Sequence, residues 1–81
     1  MKVRLLFFAV LRDIIGCTTE ELAIESGTTP NDVWQSLRRA HPPLQSYAQP
    51  PMVAINQEYA RPDQALREGD ELAFIPPVAG G

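Results

Sequence analysis

The chain has 81 residues, 44% of them hydrophobic and 21% charged, with ten acidic side chains against seven basic ones and a single cysteine. That length supports one small domain with a thin core, because a chain of this size buries only ~60% of the surface its unfolded form exposes. The composition argues against disorder, and the lone cysteine excludes a disulfide framework, a Cys-cluster zinc site and an all-cysteine iron–sulfur site. A net charge of −3 argues against a nucleic-acid partner, which calls for a concentrated basic surface. The longest apolar run, Leu5 to Leu11, is too short to span a bilayer. Arg12 and Asp13 end it without a small-residue cleavage pattern. A soluble, cytoplasmic domain with no membrane partner is expected.

Lys2 to Phe8 alternates as a strand, with Val3, Leu5 and Phe7 on one face and Lys2, Arg4, Leu6 and Phe8 on the other. Ala9 to Ile15 suits about two helical turns closed by Gly16. Glu20 to Ser26 alternates again, Leu22 and Ile24 opposing an acidic outer face. Thr29, Pro30 and Asp32 mark a helix start: a cap, a first-turn proline and an acid at the positive end of the dipole. That helix runs to about His41 with Val33, Trp34, Leu37 and Ala40 on one stripe, and Pro42 and Pro43 stop it.

Pro42 to Pro51 carries four prolines without periodicity and reads as an ordered surface loop. Met52 to Ile55 is a short buried strand, joined through Asn56, Gln57 and Glu58 to a hairpin partner at Tyr59 to Arg61. Leu66 is an anchor for the crossing, Glu68, Gly69 and Asp70 mark a turn, and Glu71 to Ile75 is the last strand. The order predicts an α+β fold with one main helix packed on one face of a sheet.

The usual catalytic sets are missing. His41 reads as a solvated cation at a helix end, Cys17 as a plain small residue, and Trp34 as core. The acidic residues scatter over faces and turns rather than pairing as an acid and a base. The five glycines have no phosphate-loop spacing, and no metal site is expected.

What remains is the ending, Pro76, Pro77, Val78, Ala79, Gly80 and Gly81. Two prolines bar further sheet pairing and hold an extended course, so six residues reach roughly 20 Å beyond the sheet. At ~7% glycine usage, two glycines close a chain by chance in only ~0.5% of cases. A side-chain-free end threads a slot too narrow for any other residue. Its carboxylate is a poor acyl donor until activated, typically as a mixed anhydride with AMP. Residues 76–81 are therefore expected to be a flexible tail on a domain spanning 1–75, and a substrate for other enzymes.

FIPPVAGG (Phe74 to Gly81), VRLLFFAVLRDIIG (Val3 to Gly16) and VAINQEY (Val53 to Tyr59) together resemble the MoaD branch of the MoaD/ThiS sulfur-carrier family, the small subunits of molybdopterin synthase. The resemblance implies a β-grasp, ubiquitin-like fold with a mixed sheet. It also implies that Gly81 is adenylated by an ATP-using, MoeB-type activating enzyme and then thiocarboxylated with sulfur from a donor protein. Gly80 serves the threading of the tail. The tail enters the large, MoaE-type subunit, where the catalytic site is expected, and its sulfur passes to a cyclic pyranopterin precursor. The carrier itself binds no cofactor. Arg12 matches a basic position common after the first strand of this family, and Asp13 stands where Glu is commoner.

Two other carboxyl-terminal chemistries stay open: a thiamine-pathway sulfur carrier, and a ubiquitin-like modifier joined to lysines through Gly81. A binding module with an incidental tail is the third alternative. The resemblance makes the first and last strands neighbours. If Val3, Leu5, Phe7, Leu72 and Phe74 pack on the helix, then Leu6, Phe8 and Ile75 form an apolar patch on the open face. That patch lies at the root of the tail and is expected to meet a partner together with Arg12 and the tail residues Pro76, Pro77, Val78 and Ala79. The opposing reading folds the short helix or the proline-rich loop back over these side chains as ordinary core.

Overall fold

The computed structural model describes residues 1–47 and 51–76. The strands are β1 (Lys2–Phe7), β2 (Thr19–Ala23), β3 (Met52–Ile55), β4 (Glu58–Ala60) and β5 (Glu71–Ile75). The helices are α1 (Ala9–Ile15) and α2 (Pro30–Ala40). One sheet takes the order β2-β1-β5-β3-β4, in which β1 and β5 run parallel and every other pair is antiparallel. With α2 packed across one face, this mixed sheet is the α+β, β-grasp architecture. No helix among the described residues is long and apolar enough to cross a membrane.

The alternation in β1 decides which face is covered. Val3, Leu5 and Phe7 are buried with Leu72 and Phe74 of β5 and with Val33, Trp34 and Leu37 of α2. Phe74 is the centre of this core: Phe7 stacks on it at 6.2 Å and Trp34 tilts against it at 5.6 Å. Leu66 is buried as expected, its N–H donating to the Thr28 carbonyl at 2.8 Å.

The start of α2 is a full capping box. The Asp32 N–H donates to Thr29 Oγ1 at 3.2 Å, and the Thr29 N–H donates to Asp32 Oδ2 at 3.0 Å. Each bond satisfies a donor that the first turn leaves free. Gly16 ends α1 at φ +95°, the left-handed cap its position foretold. Asn56 and Gln57 both have positive φ (+53° and +72°), the backbone of a two-residue hairpin turn matched to strand twist. Asn56 then ties that turn to the start of β5, donating to Asp70 Oδ1 and accepting from the Glu71 N–H.

The hairpin turn takes only Asn56 and Gln57, so its second strand is Glu58–Ala60 rather than Tyr59 to Arg61. Four further expectations are corrected. Phe8 is not the last strand residue: β1 ends at Phe7, and Phe8 is the N-cap of α1. The chain turns there because Phe7 and Leu11 are both fully buried, and a helix start is what brings Leu11 back to the core. Second, β2 covers Thr19–Ala23 rather than Glu20 to Ser26. Its partner runs out: Ala23 pairs with Lys2, and Ile24 and Met1 exchange the last two bonds. Third, Ala40 is exposed, because α2 is leaving the core in its last turn. Fourth, the proline-rich segment opens as a 3-10 helix, Pro42–Ser46, that drives Leu44 fully into the core. Beyond it, Tyr47 meets the edge of Trp34 at 6.2 Å.

Candidate functional site

Because α2 covers one face only, the other face of the sheet carries the alternate residues of every strand. Register places them in rows. Leu6 of β1 stands beside Ala73 of β5, which pairs with Ala54 of β3, which pairs with Tyr59 of β4. Toward the chain exit the next row is Ile75 beside Met52, with Phe8 just past the end of β1. In the opposite direction Arg4 stands beside Glu71 and pairs with Glu21.

The open face is thus apolar where β5 ends and charged where β1 begins. At the apolar end lies a shallow depression of ≈ 270 Å³ lined by Leu6, Phe8, Ala54, Tyr59, Ala73 and Ile75, with Gln57 and Glu71 at its polar edge. Phe8 is 45% exposed and Tyr59 73% exposed, large values for aromatic side chains that have a core available to them. At the charged end Lys2, Arg4, Glu21, Glu68 and Glu71 line a separate groove of mixed sign.

Of the residues expected to meet a partner, Leu6, Phe8 and Ile75 are brought together in this depression. Among the described residues neither α1 nor the 3-10 helix lines this depression, and Phe8 is 45% exposed. Pro76 follows at the end of β5, half-buried. Arg12 lies apart, exposed on α1 with only a long 3.8 Å approach to its neighbour Asp13. Pro77, Val78, Ala79, Gly80 and Gly81 lie outside the described residues.

Sequence reasoning missed Ala54, Ala73, Tyr59 and Met52. The alternation of Met52 and Ala54 against Val53 and Ile55 was the available signal. It becomes informative only once pairing shows that β3 sits beside β5.

The remaining reactive side chains stay apart. Cys17 is half-buried against the core, and the His41 N–H closes α2 on the Leu37 carbonyl. Among the described residues no cluster of His, Cys, Asp and Glu is placed to hold a metal ion. What the open face offers is an apolar surface at the foot of the carboxyl-terminal segment.

Comparison with known proteins gives that face a context. The model of the ThiS family matches residues 5–81. The "Molybdopterin synthase sulfur carrier subunit" of Chlamydomonas reinhardtii is 37% identical, the match covering 100% of each chain. The protein of that name in Mycobacterium tuberculosis is also 37% identical, over 100% of this chain and 99% of its own. Among solved structures, SAMP1 from Haloferax volcanii, a small archaeal modifier protein, superposes with a TM-score of 0.81 at 32% identity and covers 100% of both chains. Matched from β1 to its last residue, the chain belongs to the ThiS/MoaD family.

Proposed function

We propose that the chain is the sulfur-carrier subunit of a molybdopterin synthase, with Gly81 as the reacting residue. The observation that carries this reading is identity of 37%, end to end, with proteins that bear that name. The Phe-x-Pro-Pro-Val-x-Gly-Gly ending supports it. In this reading the Gly81 carboxylate attacks the α-phosphorus of ATP on an activating enzyme, and pyrophosphate leaves. A sulfur nucleophile at the sulfide level, delivered by a donor protein, then adds to the acyl carbon and AMP leaves. The sulfur of the resulting thiocarboxylate forms a new C–S bond to the pyranopterin precursor inside the large subunit, as a C–O bond at that carbon breaks and its oxygen leaves. Water adding at the acyl carbon returns the chain as a carboxylate.

The carrier supplies reach and docking. In this reading Pro76 and Pro77 deny the tail a sheet-pairing N–H, Gly80 brings no side chain to a narrow slot, and the Leu6, Phe8 and Ile75 patch seats the partner. Arg12, exposed on α1 apart from that patch, offers a partner a second, positively charged contact. The likeness to a small archaeal modifier protein favours a second reading, in which activated Gly81 is joined to lysines of target proteins.

Intact mass separates the two. The chain is incubated with the activating enzyme, ATP and a sulfur donor, then with the large subunit and pterin precursor. Replacement of one oxygen by sulfur, reversed when precursor is added, is the outcome expected of a carrier. Larger conjugates with no sulfur exchange would favour the modifier.

A further inference from the structure

We propose that the hollow floored by Ala54 and Ala73 is a socket for one apolar side chain projected by the large subunit that receives the tail; this rests on the function proposed above. The two alanines are direct register partners, and β3 and β5 are both interior strands. Interior strand positions favour β-branched and aromatic residues, on a scale of ~1 kcal/mol, because larger side chains cover one another across the pairs. Here the smallest side chains occupy the centre, at 6% and 8% exposure, while Leu6, Phe8, Tyr59 and Ile75 stand around them. A valine at either position would suit the strand better and would raise the floor of the hollow.

The hollow's chemistry and position narrow the occupant. Its ≈ 270 Å³ is open and, among the described residues, walled mainly by carbon, with Gln57, Glu71 and the Tyr59 hydroxyl as polar neighbours. Pockets for small molecules usually run to roughly 300–1,000 Å³ with several polar groups converging on the ligand. A leucine- or phenylalanine-like knob fits better than a metabolite. Ile75 walls the socket and is followed directly by Pro76, and Gly81 lies five residues beyond Pro76. Five extended residues span at most about 18 Å. A protein that reacts at Gly81 must come within that distance of Pro76, and so stands against this end of the sheet.

The full chain and its Ala73→Val, Ala54→Val and Ala23→Val variants are titrated against the large subunit of the synthase, with urea unfolding in parallel. Ala23 pairs with Lys2 at the charged end and is exposed, so it receives the same two methyl groups away from the socket. Ala73→Val and Ala54→Val are expected to unfold at equal or higher urea, yet to bind at least about tenfold more weakly. Ala23→Val should bind like the parent. A merely structural role for the alanines would lower stability and leave affinity alone.

Should a valine variant fail to fold, the parent protein with carbon-labelled alanine methyl groups decides. The Ala54 and Ala73 signals must shift on complex formation and the Ala23 signal must not. Wild-type affinity in both socket variants, or unmoved Ala54 and Ala73 signals in a formed complex, overturns the socket alone. Failure of the parent to bind the large subunit overturns the socket and the carrier reading together.

Discussion

Phe8 is held outward by its neighbours. Phe7 before it and Leu11 after it are both fully buried, and between them Ala9 takes φ +49°, a left-handed backbone that disfavours any side chain. Such a conformation costs on the order of 1 kcal/mol and persists only where surrounding packing fixes it. Its effect is to turn the Phe8 ring onto the open face beside Ile75. Phe8→Ala should therefore weaken binding of the large subunit by about 2 kcal/mol, as expected for an aromatic near an interface centre. Its unfolding free energy should change by less than roughly 0.5 kcal/mol, since the ring is not core. Calorimetric titration and urea unfolding of the same preparation check both.

Gly80 is a test of tail width. Gly80→Val adds a β-branched side chain and removes backbone freedom, so thiocarboxylate formation or transfer should fall sharply while unfolding is unchanged. Mass spectrometry after activation reads the first and pterin turnover the second. Ala23→Val, exposed on the edge strand at the charged end of the sheet, is the control.

At the scale of elements, some segments declare themselves and others need the tertiary structure. Thr29, Pro30 and Asp32 place the start of α2 because every signal there is local: cap, proline and reciprocal hydrogen bonds lie within four residues. The faces of β1 and β5 are likewise legible, since period two continues for as long as the strand does. Pro42–Ser46 was not legible. A five-residue 3-10 helix has no room for a repeating stripe, and its one buried side chain, Leu44, resembles any apolar loop residue. The site was half-legible for a related reason. Leu6, Phe8 and Ile75 follow from alternation, whereas the Ala54–Ala73 pair exists only across strands some twenty residues apart.

Leu44 shows what that short element contributes. It is fully buried beneath α2, so Leu44→Ala removes contacts that the surrounding core cannot easily refill. A loss of about 2–5 kcal/mol in unfolding free energy is expected. In a chain this small such a loss is a large share of the total, and a broadened or early urea transition would report it. A surface loop, by contrast, would tolerate the change.

At the scale of the molecule, one covered face and one open face divide the work between stability and recognition. Under the proposed function the activating enzyme and the large subunit each reach Gly81 over the same five residues, so both are expected to seat on the single apolar area at the foot of the tail. Their binding should be mutually exclusive. In a competition titration, excess large subunit should displace the activating enzyme from the carrier. A stable ternary complex would show that the two partners use different surfaces.

The parallel pairing of β1 and β5 has a mechanical consequence. Four positions, Arg4 to Phe7, lie beside Glu71 to Phe74, and the two strands run in the same direction. Pulling Met1 away from Pro76 therefore slides one strand along the other and loads all of their backbone hydrogen bonds at once. Pulling β4 from β3 by its hairpin would instead break bonds one after another. A carrier whose tail is gripped by one protein while its amino terminus is tethered is thus loaded along its most resistant direction. Single-molecule stretching between Met1 and Pro76 should give a markedly higher rupture force than stretching between Ile55 and Glu58, where the sheet unzips.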